Sequence, residues 1–140
     1  MLRNNESRYS QINVVIDMVN NKKDDFDYSL ALEYMGNNEK ILMNIISSFL
    51  SYNKDSISLM KEYLIKNDGK ELFAIFHHFK GVSLNLGSRI MCSFSDYLCE
   101  KFRYKQNESI DTTTIEEIKL YIEFCNILFA KLESVRNEHK

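Results

Sequence analysis

The sequence contains no proline and only four glycines among its 140 residues, although 44% of them are hydrophobic. A β-rich fold would normally use more of these turn-forming residues. The composition therefore favours an all-α protein. The length suits one domain that is large enough to bury a core.

The chain also lacks an excess of charge of either sign. Its 18 basic and 20 acidic residues are interspersed and give a formal net charge of −2. Nucleic-acid binding would require a basic stripe, and none is present, so we expect no nucleic-acid partner.

Long apolar runs are missing as well. No uninterrupted run approaches the ~18 residues of a membrane span, and the stretch from Met1 to Glu6 lacks the apolar core of a secretion signal. We therefore expect no membrane association and a cytoplasmic location. The odd number of cysteines, Cys92, Cys99 and Cys125, suits a reducing compartment, and their spacing matches no metal site. We expect them to be small core residues.

Two further absences argue against an independent enzyme. None of the four glycines belongs to a cluster that could cradle the phosphates of ATP, and no serine lies in a strand-to-helix elbow. We expect no catalysis driven by a nucleotide bound to this chain.

The N-terminal half predicts helices of different lengths. Apolar residues from Tyr9 to Val19 have helical spacing and predict a short leading helix, which we expect to be only loosely attached. Asp27 can cap a brief helix over Tyr28 to Met35 that Gly36 ends. A long amphipathic helix is predicted from about Asn38, and the polar patch 53–55 either breaks or bends it.

Three more helices are predicted in the C-terminal half. The first follows the turn signal of residues 67–69 and ends near Gly87, and Ser88 is placed to cap the second. The last follows the polar connector 106–111, where both Thr113 and Thr114 have the capping-box spacing. Four long amphipathic helices with short connections predict an up-down antiparallel four-helix bundle, with one or two short extra N-terminal helices. We divide the chain into an N-terminal helical extension, 1–23, and a bundle domain, 24–140.

The helix around residue 77 has two distinct faces. Its apolar stripe consists of Leu72, Ile75, Phe76, Phe79, Ser83 and Leu86. The opposite face carries His77, with Lys80 three and Gly81 four residues further on, so that all three are surface neighbours. Phe73 and Leu84 flank them, and exposed apolar residues at these positions indicate a docking surface.

These residues carry a family resemblance. His77-His78-Phe79-Lys80-Gly81, followed by Asn85-Leu86-Gly87-Ser88, resembles the H-x-[LF]-K-G…LG signature of histidine-containing phosphotransfer (HPt) domains. Phe26-Asp27-Tyr28 with Gly36 resembles the upstream pattern of the family, so the similarity extends over roughly residues 24–133. The sequence departs from the pattern at Phe76, where a small residue is usual and where the larger ring could crowd the base of the site. Residues 97–100 keep only part of the usual leucine-glutamate ending.

The resemblance implies a function and a set of roles. His77 would accept a phosphoryl group from the aspartyl phosphate of one receiver domain and pass it to another, in a hybrid histidine kinase or a response regulator. Lys80 would balance the phosphoryl charge, Gly81 would let the partner come close, and Phe73 and Leu84 would form the apolar rim. Gly87 would be structural. The carrier would be monomeric and without a cofactor, because magnesium would belong to the receiver.

The sequence leaves two questions open. An HPt-like bundle could also bind a receiver or a kinase as an adaptor without transferring phosphate. His78 lies about 100° round the helix from His77, on the flank of the apolar stripe, and we expect it to pack or to form a hydrogen bond instead of sharing the phosphoryl group.

Overall fold

A computed structural model describes residues 12–139 of the chain, and within this range every regular element is a helix. Tyr9 and the other residues of the predicted leading helix before Ile12 lie outside the described part. We label the elements in chain order as α1 (residues 12–20), α2 (Tyr28–Tyr34), α3 (Glu39–Tyr52), α4 (Ser56–Ile65), α5 (Gly69–Ser83), a 3₁₀ turn (Leu84–Leu86), α6 (Arg89–Phe102) and α7 (Thr112–Glu138). The prediction of an all-α protein is confirmed over this range.

Helix α2 begins and ends as its sequence predicts. Asp27 is the N-cap residue, and its Oδ1 accepts a hydrogen bond from the amide of Leu30 at 3.0 Å. The helix ends at Tyr34, and Gly36 follows with φ +62°, in the left-handed region that glycine adopts without strain.

The polar patch after α3 breaks the long helix instead of bending it. Asn53 is almost fully buried, and its Nδ2 donates to the carbonyl of Phe49 while its Oδ1 accepts from Ser56 Oγ. An asparagine side chain that bonds to nearby backbone in this way competes with helix continuation. The chain therefore ends α3 at Tyr52 and starts α4 at Ser56.

Two predicted helix starts are corrected. The N-cap of α7 is Asp111, whose Oδ1 accepts from the amide of Thr114 at 2.7 Å, so neither Thr113 nor Thr114 caps it. Ser88 occupies the N-cap position of α6, but its hydroxyl is buried and makes no capping hydrogen bond. In its place Asp25 Oδ2 accepts from the amide of Met91 at 3.0 Å.

The long helices pack against one another in a closed order. Helix α5 packs against α6 and α4, and α7 packs against α3, α4 and α6. Aromatic rings fill the space between them: Tyr121 of α7 lies edge-on to Phe76 of α5 and to Phe94 of α6. The buried hydroxyl of Tyr121 is satisfied by Ser95 Oγ at 2.7 Å.

The expectation that the leading helix is loosely attached is wrong for the part that the structure describes. Val15 is fully buried and Met18 is 7% exposed, and both belong to the same hydrophobic core as α5 and α7. None of the described helices combines the length and the apolar character needed to cross a membrane.

Candidate functional site

The position of α5 is fixed at its N-terminus. Asp68 caps it by accepting from the amide of Glu71, and the preceding Asn67 accepts from the amide of Ile110 at 2.9 Å. Gly69 lies against the start of the connector between α6 and α7, where a Cβ atom would approach the carbonyl oxygen of Gln106 to 2.8 Å. These contacts hold the first turn of α5 against the connector between α6 and α7.

The predicted apolar stripe of α5 faces the core. Leu72, Phe76, Phe79, Ser83 and Leu86 are buried, whereas Ile75 is only half-buried because it lies at the margin of the stripe. Phe76 has no exposed surface and contacts Phe102 and Tyr121. The large ring before His77 therefore points into the core and does not crowd the exposed face.

His77 lies exposed on the opposite side of α5. Within residues 12–139 its side chain has no hydrogen-bond or ion-pair partner, and its one ring contact is with Phe73, at 6.0 Å between centroids and 32° between planes. Phe73 is half-buried and packs partly against the core. Phe73 therefore packs against the imidazole ring of His77 and is less exposed than the sequence predicts.

Lys80 is close to His77 in the helix but is paired with another residue. Its Nζ lies 2.8 Å from Asp96 Oδ1 of α6, and both side chains are 41% exposed. The hydrogen bond and the charge of Asp96 raise the pKa of Lys80 above its ordinary value, so the side chain is a cation at neutral pH. The site thus holds a positive charge one helical turn from His77.

The remaining predicted docking residues are accessible. Gly81 is exposed, and a Cβ atom built on it meets nothing within 4 Å. Leu84, in the 3₁₀ turn that follows α5, is 39% exposed. His77, Gly81 and Leu84 therefore form a continuous exposed strip along one side of α5 and its extension.

Gly87 ends this extension in the left-handed conformation expected of it, with φ +65°. Its carbonyl oxygen accepts from the amide of Asp27 at 3.2 Å, and an added Cβ would come within 2.2 Å of the Asp27 carbonyl oxygen. Glycine is needed here both for its backbone conformation and for the close approach of α2.

His78 has a packing role. Its ring lies 5.2 Å from the ring of Tyr52 and 5.8 Å from that of Phe79. Its Nε2 is buried without a hydrogen-bond partner, and burial lowers the pKa of the imidazole. Of the two roles expected for His78, packing or hydrogen bonding, the structure shows packing. Of the two neighbouring imidazoles, only that of His77 is exposed.

The cysteines do not extend the site. Cys99 and Cys125 are buried and Cys92 is half-buried, and all three are free thiols. Burial raises the pKa of Cys99 to about 11, which leaves almost no thiolate at neutral pH. No group of three or more potential metal ligands occurs in the part of the chain that the structure describes.

A groove of about 1170 Å³ lies elsewhere, between α1, α6 and α7. Tyr97 and Lys101 line it, and both bind the carboxylate of Glu117. These polar side chains already satisfy one another, and the groove lining contains neither histidine nor cysteine. The exposed face of α5 remains the better candidate site.

Sequence reasoning missed two residues that contact α5 or the neighbouring α6. Asp96 pairs with Lys80, and Asp25 caps α6 from 66 residues away. Both contacts join separate elements, so no local spacing in the sequence could have revealed them.

No family model matches the chain, and no curated protein or solved structure matches it significantly.

Proposed function

We propose that the chain is a histidine phosphotransfer protein that relays a phosphoryl group between receiver-domain aspartates through a phosphohistidine at His77. The observation that carries the proposal is the isolation of this imidazole. It is exposed and without a polar partner in the described range, on a helix whose opposite face is anchored in the core. Lys80 supplies a nearby cation, and Gly81 leaves the approach open.

The proposed fold is the up-down four-helix bundle of this family. The interrupted pair α3 and α4 would form one member, and α5, α6 and α7 the other three. The closed order in which these helices pack supports that arrangement. A bundle suits a relay because it holds the acceptor on a rigid rod, so a partner docks against a fixed geometry.

The transfer step follows from the chemistry of the two groups. A ring nitrogen of His77 attacks the phosphorus of the receiver's aspartyl phosphate, a nitrogen–phosphorus bond forms, and the bond from phosphorus to the aspartate oxygen breaks. The aspartate leaves as a carboxylate. The reverse reaction on a second receiver returns the phosphoryl group to an aspartate.

Catalysis of this step would come largely from the partner. The receiver would supply the magnesium ion that neutralises the transferring group, and this chain would supply orientation and the charge of Lys80. The strip formed by His77, Gly81 and Leu84 would meet the receiver surface. The protein would act in the cytoplasm as a monomeric carrier and not as an independent enzyme.

The experiment compares the two neighbouring histidines. A panel of phosphorylated receiver domains is incubated with the wild type, His77→Gln and His78→Gln, and acid-labile phosphate on the chain is measured. We expect His77→Gln to abolish labelling and His78→Gln to retain most of it, because His77 is exposed and His78 is half-buried. Circular dichroism of each variant checks that it is folded.

Two results would contradict the proposal in different ways. Labelling that survives in His77→Gln and is lost in a folded His78→Gln would reject the assignment of the acceptor. Stable binding of a phosphorylated receiver without any transfer to the wild type would favour the alternative, an adaptor that docks on a receiver or kinase without carrying phosphate.

A further inference from the structure

The ion pair between Lys80 and Asp96 links the two helices beside the proposed acceptor. Lys80 Nζ lies 2.8 Å from Asp96 Oδ1, and Lys80 and His77 are neighbours on α5. A lysine stem is flexible and its ammonium group is a compact charge, so the group can exchange one oxygen partner for another nearby. The cation assigned to the phosphoryl group therefore already has an anionic partner before any phosphate arrives.

Among the described residues neither Lys80 nor Asp96 forms a second ion pair, although the positive charge of Arg103 opposes the rise in the pKa of Lys80. Arg103, the residue that follows α6, is paired with Glu100 at 2.7 Å. The thiol of Cys92 lies 3.7 Å from the carbonyl oxygen of Lys80, and burial raises its pKa, so it adds no charge at neutral pH. Among the described residues, Lys80 is the only cation in an ion pair with Asp96.

We propose that Asp96 is a positioning residue that competes with the phosphoryl group on His77 for the ammonium group of Lys80. This inference rests on the proposed function. When His77 carries phosphate, Lys80 can neutralise the phosphoryl oxygens only by leaving Asp96, and an unpaired carboxylate then remains close to a second anion. Asp96 thereby raises the free energy of the phosphohistidine and favours passing the phosphoryl group on.

The expected effect is moderate. Both side chains are 41% exposed, and ion pairs of this kind are weak in water. Removing the competitor should therefore change the stability of the phosphohistidine by roughly two- to fivefold. The change should be an increase, because Lys80 becomes free to bind the phosphoryl group.

The test uses Asp96→Asn in two measurements. The first is the equilibrium fraction of phosphohistidine reached with a phosphorylated receiver. The second needs no receiver, because phosphoramidate phosphorylates the protein directly. An imidazole nitrogen attacks the phosphorus of phosphoramidate, the phosphorus–nitrogen bond of the reagent breaks, and its protonated nitrogen leaves as ammonia. The half-life of the phosphohistidine is then followed by ³¹P NMR, with the His77 signal identified by its absence in His77→Gln.

We expect Asp96→Asn to lengthen the half-life and to raise the equilibrium ratio of phosphorylated to unphosphorylated protein, each by roughly two- to fivefold. Asp96→Glu, which keeps the charge, should remain close to the wild type. Glu100→Gln is the matched control, since it removes a carboxylate of α6 that pairs with Arg103 and not with Lys80. It should leave both quantities unchanged.

The role of Lys80 is tested by combining variants. Lys80→Ala alone should shorten the half-life, and adding Asp96→Asn to it should have no further effect if Asp96 acts through Lys80. If Asp96→Asn has an equally large effect when Lys80 is absent, the proposed competition for Lys80 is wrong. Asp96 would then act by repelling the phosphoryl group directly.

The two proposals can fail separately. Transfer from a receiver to His77 with no effect of Asp96→Asn on either quantity would reject the role of Asp96 and leave the relay function intact. A longer half-life of chemically phosphorylated Asp96→Asn, with no transfer from any receiver, would support the role of Asp96 and reject the relay.

Discussion

Within residues 12–139, the structure shows no reason for glycine at position 81. It lies inside a helix, where glycine is less favourable than alanine by about 1 kcal/mol. A Cβ atom at this position meets nothing within 4 Å, and the residue has no positive φ that would require glycine. A residue that weakens its own helix and fills no tight space points to a requirement outside the described residues, such as the close approach of a partner beside His77.

We predict that Gly81→Ala and Gly81→Gln both raise the free energy of unfolding by about 1 kcal/mol, because each restores helix propensity without a clash. Gly81→Gln should at the same time weaken receiver binding, since its long side chain would project from the exposed strip formed by His77, Gly81 and Leu84, which we propose as the receiver contact. Urea denaturation measures stability, and titration with a receiver domain measures affinity. Undiminished binding of Gly81→Gln would show that no close approach occurs at this position.

Leu84 and Phe73 differ in a way that the sequence did not show. Leu84 is 39% exposed, whereas Phe73 is half-buried, packs against the core and contacts the His77 ring. A polar substitution of Phe73 would change packing, imidazole orientation and docking together. Leu84 is therefore the better position at which to probe docking alone.

At the scale of elements, α6 depends on a cap from a distant part of the chain. Its own N-cap residue, Ser88, makes no capping hydrogen bond, and the carboxylate of Asp25 accepts from the amide of Met91. A negative charge at a helix N-terminus is favourable, yet burial raises the pKa of Asp25 to about 6. The hydrogen bond from Met91 to Asp25 thus links the segment between α1 and α2 to α6, the helix that carries Asp96.

We predict that Asp25→Ala lowers the free energy of unfolding by about 1 kcal/mol, the usual effect of losing a helix cap. Asp25→Asn should lose less, because its amide oxygen can still accept from Met91. Urea denaturation at about pH 4, where the folded protein holds the proton of Asp25, makes the comparison. Equal stability of Asp25→Ala and the wild type would show that this cap contributes nothing.

The same residue predicts a pH dependence. The pKa of Asp25 is higher in the folded state, about 6, than its ordinary value of 3.8, so the folded protein binds this proton more tightly than the unfolded chain. Its contribution to stability is complete below about pH 4 and is lost as the pH rises through 6. The stability of the wild type relative to Asp25→Asn should therefore decrease between pH 4 and 7. The lowered pKa of His78 acts in the opposite direction, but it is common to both proteins and cancels in the difference.

At the scale of the whole molecule, α1 packs into the same hydrophobic core as α5, the helix that carries His77. Val15 is fully buried, whereas the adjacent Val14 is 47% exposed. We predict that Val15→Ala lowers the free energy of unfolding by about 2 kcal/mol, through lost burial and the cavity left behind. Val14→Ala is the matched control and should change it by less than about 0.5 kcal/mol. Equal effects of the two substitutions in urea denaturation would indicate a detached helix.

The sequence alone predicted the all-α class, the cap at Asp27, the apolar stripe of α5 and the exposure of His77. These features depend on spacing along one helix or on a cap a few residues away, so they are visible as local patterns. The left-handed Gly87 was predictable for the same reason. Its contact with Asp27 was not, because it joins two elements.

Tertiary structure decided the rest. The start of α7 is an exception, because the cap that Asp111 provides to the amide of Thr114 is local and the two capping-box threonines drew the prediction away from it. The ion pair of Lys80 with Asp96, the cap of α6 by Asp25 and the burial of Val15 all bring together side chains from different helices. Helical periodicity fixes which side of a helix is apolar, but which partner each polar side chain meets depends on how the helices pack against one another.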